Sequence, residues 1–282
     1  MSFFKTTAIT DVSKRNYDSH LTKWLSFTTH TLHQLIMDPP AALAILHAAP
    51  IKQTNVNLHG YYSAIGSYIK HEGSSEEKPF FEKWKAIAQE NSKPLMEHYK
   101  KNEPTEIQKG IELDLADVVK KRDALPLGMD RLLLGFYTYI PAMRADYFAT
   151  RIVKEGEKEP EEGNYIQGSV LIIQDYKTKR HYGAIRTPIP EPLLKELEAS
   201  LKDCPRDYLF VKRDGKEAMS RAEFSAWANR ILTRLFEKRT TLTALRHATS
   251  TSEWKDVDIK AKKEKSASMG HSVGMSMAYV WK

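Results

Sequence analysis

The apolar residues of this chain change their period partway along, and that change constrains what it can fold into. Across the first half they recur every three or four positions, the spacing of helices with one buried stripe. Between residues 150 and 189 they fall instead into short β-branched runs separated by turn-like stretches: TRIV, SVLIIQ and GAIRTPI. After residue 190 the helical spacing returns. The expected class is therefore mainly α with one small antiparallel β-sheet.

In the first hundred residues, Leu21, Trp24, Leu25, Leu32, Leu35 and Ile36 share a helical face that stops at the MDPP break. A short alanine-rich helix is predicted over 40–48, ended by Pro50. The next begins at Thr54 or Asn55, either of which can cap it, and carries Leu58, Tyr61, Ile65, Tyr68 and Ile69 on one face. A fourth covers 79–99, with Phe81, Trp84, Ile87 and Leu95 as apolar members. Tyr61, Tyr62 and Tyr68 could stack on bases, but aromatic faces at helical spacing are usually core. The charged KKNEP stretch at 100–104 is the best linker. It divides a helical unit, 1–102, from a second unit, 103–282. In the second unit Thr105–Gln108 has capping-box form and starts a helix to about Arg122. An apolar helix covers 129–139, and Pro141 opens a short one through Phe148. Helices are predicted over 191–201 and, from the Ser220–Glu223 capping box, to about Phe236.

Charge narrows the partners. Lysine and arginine exceed aspartate and glutamate by seven, and the pI is near 9.2. A polyanion is favoured, nucleic acid first. An anionic membrane surface is a weaker option, because no lone basic amphipathic helix stands out. No apolar run is long enough to span a bilayer, and the MSFFKTT start is too short and polar to anchor anything. Cys204 stands alone, which excludes an internal disulfide framework and a cysteine-based zinc site and suits a reducing compartment. The histidines show no metal-ligand spacing, so no metal is expected.

Four stretches of the second unit can be assembled into one site. Arg144 stands in YIPAMRADYFA, just after an apolar helix, and Lys177 in IIQDYKTKRHYG, at the turn between two predicted strands. Arg246 stands in TALRH, beside the apolar face of Leu242, Leu245 and Ala248. A buried guanidinium there is costly unless an anion or acid meets it. The fourth stretch, MGHSVGMSMAYVW, carries His271 and Tyr279.

Together these stretches resemble the tyrosine recombinases, or phage-type integrases. That family carries an arginine after an apolar helix, a β-hairpin lysine, a His-x-x-Arg helix, a Gly-His pair and a nucleophilic tyrosine, in this order. Its DNA-gripping helical domain also precedes the catalytic one, so the resemblance covers nearly the whole chain. It implies a site-specific recombinase of a virus or mobile element that acts on double-stranded DNA, a monomer when free and a homotetramer on DNA. The two units would close around a duplex as a C-shaped clamp. Arg144 and Arg246 would clamp the phosphate, Tyr279 would attack phosphorus, Lys177 (or Lys179) would protonate the leaving 5′ oxygen, and His271 would hydrogen-bond the phosphate or the tyrosine. Such a reaction uses no cofactor, metal or ATP.

Two departures accompany the resemblance. Thr243 stands where the family usually has His or Lys, and threonine is no general base near neutral pH. His247, one position on from Arg246, points elsewhere on a helix and does not substitute. Only Val280, Trp281 and Lys282 follow Tyr279, where the family usually continues with a tail that docks on a neighbouring subunit; either the chain is shortened or its subunits link differently. The alternatives are strand cleavage like that of a type IB topoisomerase, or a DNA-binding relative with weakened catalysis.

Overall fold

The computed structural model describes residues 2–101 and 110–254, together with Ser266 and Met269. It divides into two compact units, Met1–Lys101 and Asn102–Lys282.

The first unit is helical: α1 (Asp11–Leu25), α2 (Leu32–Met37), α3 (Pro39–Ala48), α4 (Asn55–His71) and α5 (Phe81–Lys101). The apolar spacing that predicts one helix through Leu21–Ile36 is split into α1 and α2. The break falls on hydroxyl side chains that offer the backbone other partners. Ser26 donates to the Lys23 carbonyl, Thr28 bonds His30, and Thr31 starts α2 through a reciprocal capping box with Gln34. Thr54 caps α4 by accepting from the Asn57 amide. Helix α4 packs against α1 and α5. The centre of this core is the edge-on pair of Trp24 and Trp84, with ring centroids 5.8 Å apart. The Trp84 indole donates to the Ile36 carbonyl at 3.1 Å, which ties α5 to α2. Tyr61 and Tyr62 are buried in this core. They serve packing, not base stacking.

The second unit contains α6 (Leu115–Ala124), α7 (Met129–Thr138), β1 (Arg151–Val153), β2 (Tyr165–Gln167), β3 (Val170–Ile173), α8 (Lys179–Tyr182), β4 (Ile185–Pro188), α9 (Glu191–Asp203), α10 (Arg221–Phe236) and α11 (Leu242–Trp254). The four strands lie in the order β1-β2-β3-β4. β3–β4 is antiparallel, as the sequence predicts, and so is β2–β3, but β1 pairs with β2 in parallel, so the sheet is mixed and not purely antiparallel. Strand β2, unforeseen, joins β3 through a two-residue turn with Gly168 at φ +56, the left-handed first position that a tight hairpin requires. Leu171 and Ile173 face the main core, where Leu132, Leu133 and Phe136 of α7, Leu193 and Leu197 of α9, Phe224 and Leu232 of α10, and Leu245 of α11 converge.

Two predicted helices differ. Of the expected Thr105–Arg122 helix, residues 110–114 are not helical and a helix runs over Leu115–Ala124, started by the Asp114 carboxylate, which accepts from the Ala116 amide at 2.6 Å; the Thr105–Gln108 box lies outside the described residues. Residues 141–148 form turns instead of a short helix. Their backbone groups are taken by side chains from neighbouring segments, described below. The Ser220–Glu223 box is present in both directions and starts α10, which runs to Phe236.

Candidate active site

Arg144 lies on the turn segment between α7 and β1. Two buried tyrosines shape this segment. The Tyr137 hydroxyl donates to the Arg144 carbonyl at 2.6 Å, and the Tyr147 hydroxyl donates to the carbonyls of Phe136 (3.0 Å) and Pro141 (3.3 Å). The Thr150 hydroxyl closes the turn on the Tyr147 carbonyl at 2.9 Å. Ala149 is held at φ +46, a left-handed conformation unusual for a residue with a Cβ and one sustained only by surrounding structure. Burial pushes the Tyr137 and Tyr147 phenols well above their ordinary range, and the Arg246 charge offsets only part of the rise. Both stay protonated at neutral pH and serve as buried hydrogen-bond donors to the turn. The Arg144 side chain is half-exposed and has no hydrogen-bond or ion-pair partner among the described residues.

Helix α11 brings Arg246 to this segment. Leu242 and Leu245 point into the core, and Arg246 follows them inward to 4% exposure. Its Nε donates to the Ala142 carbonyl at 3.1 Å, two residues from Arg144. The Thr249 hydroxyl adds bonds to the Leu245 carbonyl (3.0 Å) and the Tyr137 carbonyl (3.4 Å). His247 is buried, whereas Thr243, one turn before Arg246, is exposed.

The β3–β4 connection carries Lys177 and Lys179, both exposed, with Lys179 opening the short α8. The Tyr176 hydroxyl donates to the Gly183 carbonyl at 2.7 Å across the base of this connection. Asn164, on the strand side, links it to the Arg144 turn. Its Nδ2 donates to the carbonyls of Asp146 (2.7 Å) and Asp175 (3.2 Å), and its Oδ1 accepts from the amides of Gln174 (2.8 Å) and Asp175 (2.7 Å). Arg221, the first residue of α10, pairs with the buried Asp146 carboxylate, reaches the Asp175 carbonyl at 3.5 Å and lies over the Phe148 ring, 4.5 Å from its centroid.

Three of the five catalytic candidates are thereby tied to one network. Residues 142 and 146 flank Arg144, and residue 175 lies two before Lys177. The charges facing outward on the turn and hairpin are mostly positive, Arg144, Lys177, Lys179 and Arg180 against the one exposed carboxylate of Asp175, while the nearby Asp146 is neutralised by Arg221. Such a surface can hold an anion with diffuse charge. His271 and Tyr279 lie outside the described residues. Asn164, Asp146 and Arg221 escape sequence reasoning. Only Arg221 carries a local signal, its place at the start of a capping-box helix, where a cation is out of keeping with the helix dipole. Among the described residues there is no group of three or more His, Cys, Asp or Glu that could hold a metal ion, and no helix is long and apolar enough to cross a membrane.

Fold and site together define a mainly helical α+β protein whose cations gather around one buried turn. No protein-family model matches the chain, and no curated protein matches it significantly. Among solved structures, the chain is similar to the crystal structure of XerA recombinase, at 15% identity and a TM-score of 0.44 over 97% of this chain and 88% of that one. It is also similar to a lambda integrase (75-356) dimer bound to a COC′ core site, at 13% identity and a TM-score of 0.48 over 97% and 90%. A lambda integrase tetramer bound to a Holliday junction is similar at 13% identity and a TM-score of 0.43 over 99% and 82%.

Proposed function

We propose that this chain is a site-specific DNA recombinase or integrase that breaks and rejoins DNA through a covalent 3′-phosphotyrosine, without metal or ATP. The observation that supports this reading most is the tie between the Arg144 turn, Arg246 and the Lys177 hairpin, three cationic elements distant in sequence and joined by hydrogen bonds around one buried turn. In the reaction, Arg144 and Arg246 donate to the non-bridging oxygens as charge develops on them. The Tyr279 oxygen bonds to phosphorus as the bond to the 5′ oxygen breaks. Lys177, or Lys179 beside it, gives that oxygen its proton, and the phenol proton passes to His271 or water. The phosphotyrosine conserves the phosphodiester, so rejoining is the same step reversed. The free protein is a monomer, and four copies pair two duplexes on DNA.

The test is a nicked suicide duplex whose cleaved 5′ end diffuses away. The wild type should accumulate a covalent protein–DNA band, and Tyr279→Phe should form none while still binding the duplex, because only one oxygen is removed. A covalent band from Tyr279→Phe would refute the assignment of the nucleophile. Relaxation of supercoils by a monomer would favour a topoisomerase. Binding with no covalent band from the wild type would favour a relative with weakened catalysis, the reading that Thr243 supports.

A further inference from the structure

The amide of Asn164 is 4% exposed and saturated: both Nδ2 protons and both Oδ1 lone pairs are used, on three different residues. An amide that crosses between segments in this way fixes their relative position. It does so at low dielectric, where each bond is strong and each orphaned partner is costly. We infer that Asn164 is a positioning residue that holds the Lys177 hairpin against the Arg144 turn, and so sets where the leaving-group proton is delivered. This rests on the recombinase reading above.

The two segments do not depend on Asn164 equally. The Arg144 turn has other ties: Tyr137 on the Arg144 carbonyl, Tyr147 on Phe136 and Pro141, and Arg246 on Ala142. The end of β3 has fewer. β3 and β4 pair only as far as Ile173 and Ile185. Beyond that, Asn164 holds the Gln174 amide and both the amide and the carbonyl of Asp175; the other ties are Arg221 at 3.5 Å from the Asp175 carbonyl, the Gln174 side chain at 3.3 Å from the Pro160 carbonyl, and the Tyr176 ring buried in the core. Removal of the Asn164 side chain therefore frees the Gln174 and Asp175 backbone and loosens the hairpin that follows, while the arginine turn stays in place. The consequence falls on proton delivery by the exposed lysine, not on the phosphate clamp.

A bridging sulfur in place of the 5′ oxygen separates the two. A thiolate leaves without being protonated, so a variant impaired only in proton delivery recovers on that substrate. Asn164→Ala and the isosteric Asn164→Asp, which keeps the acceptor for the Gln174 and Asp175 amides but lacks the paired donors, are compared with the wild type and Lys177→Ala on both duplexes. General-acid catalysis contributes about 10²–10⁴-fold, so Lys177→Ala should lose that much on the oxygen duplex, and Asn164→Ala about 10–10²-fold, with most of each loss restored by sulfur. Asn164→Asp should lose less than Asn164→Ala. An Asn164→Ala deficit that sulfur leaves untouched, or no deficit in a wild type that cleaves, overturns the inference. Amide hydrogen exchange on the full chain decides it independently of activity. In Asn164→Ala, residues 174–183 should exchange faster while β2 and the α7 amides stay protected. Unchanged exchange there overturns the positioning role even if the wild type proves not to cleave, and a wild type that does not cleave overturns the recombinase reading alone.

Discussion

Arg246→Lys isolates what the guanidinium does beyond carrying charge. In the wild type, Nε donates to the Ala142 carbonyl from a site with 4% exposure, and the proposal assigns the terminal nitrogens to the phosphate. A lysine has a methylene where Nε stands, and its single ammonium cannot serve both places. If it turns back to Ala142, the phosphate loses one arm of its clamp; if it extends, a buried carbonyl loses its donor. The second case costs about 1–3 kcal/mol of stability. In a unit of this size each kcal/mol lowers the unfolding midpoint by about 2–4 °C. The loss of a developing-charge donor slows cleavage by about 10²–10³-fold. Arg246→Ala should slow cleavage to a similar degree and lose more stability, because it also leaves a cavity. Single-turnover formation of the covalent complex on the suicide duplex, beside thermal unfolding and duplex binding of each variant, separates the effects. Binding should change little for Arg246→Lys, since the charge remains. If Arg246→Lys cleaves within about threefold of the wild type, well short of the loss of a transition-state contact, the clamp assignment fails.

Three other outcomes follow from the geometry. Ser220→Ala removes the α10 cap and should cost about 1 kcal/mol, seen as a lower unfolding midpoint; no change would mean that the box does not contribute in solution. Tyr137 and Tyr147 have phenol pKa values raised by burial, so their contribution to stability is full below the ordinary tyrosine value near 10 and is lost as pH rises above it. Tyr147→Phe should therefore unfold less steeply than the wild type above that pH in an alkaline titration, although it is less stable at neutral pH for want of its hydrogen bonds. Duplex affinity should fall steeply with added salt as phosphate contacts release counterions, and a flat response would exclude DNA as the main partner.

What the chain alone determines is local. Thr31 with Gln34, Thr54 with Asn57 and Ser220 with Glu223 each act over three residues, and an oxygen at that offset from a backbone amide signals a helix start whatever the rest of the protein does. The stripes of α4 and α7 and the β-branched runs of β1, β3 and β4 are local in the same way. So are Arg144, Lys177 and Arg246 as residue types in recognisable neighbourhoods. The tertiary structure decides the points where two local rules compete, or where the partner is remote. The stripe from Leu21 to Ile36 predicts one helix, and hydroxyl–backbone bonds at Ser26 and Thr31 divide it. Pro141–Phe148 has helical spacing, yet Tyr137 and Tyr147 bind its carbonyls, and a turn bound to side chains replaces the helix. The parallel pairing of β1 with β2 leaves no trace in an alternating pattern, because both orientations bury the same face. Arg246 finds Ala142 at a separation of 104 residues, and Asn164 finds Asp146 and Asp175 at 18 and 11. No periodicity encodes such contacts. A saturated amide becomes visible only when folding brings its donors and acceptors together, and the position of the hairpin lysine depends on it.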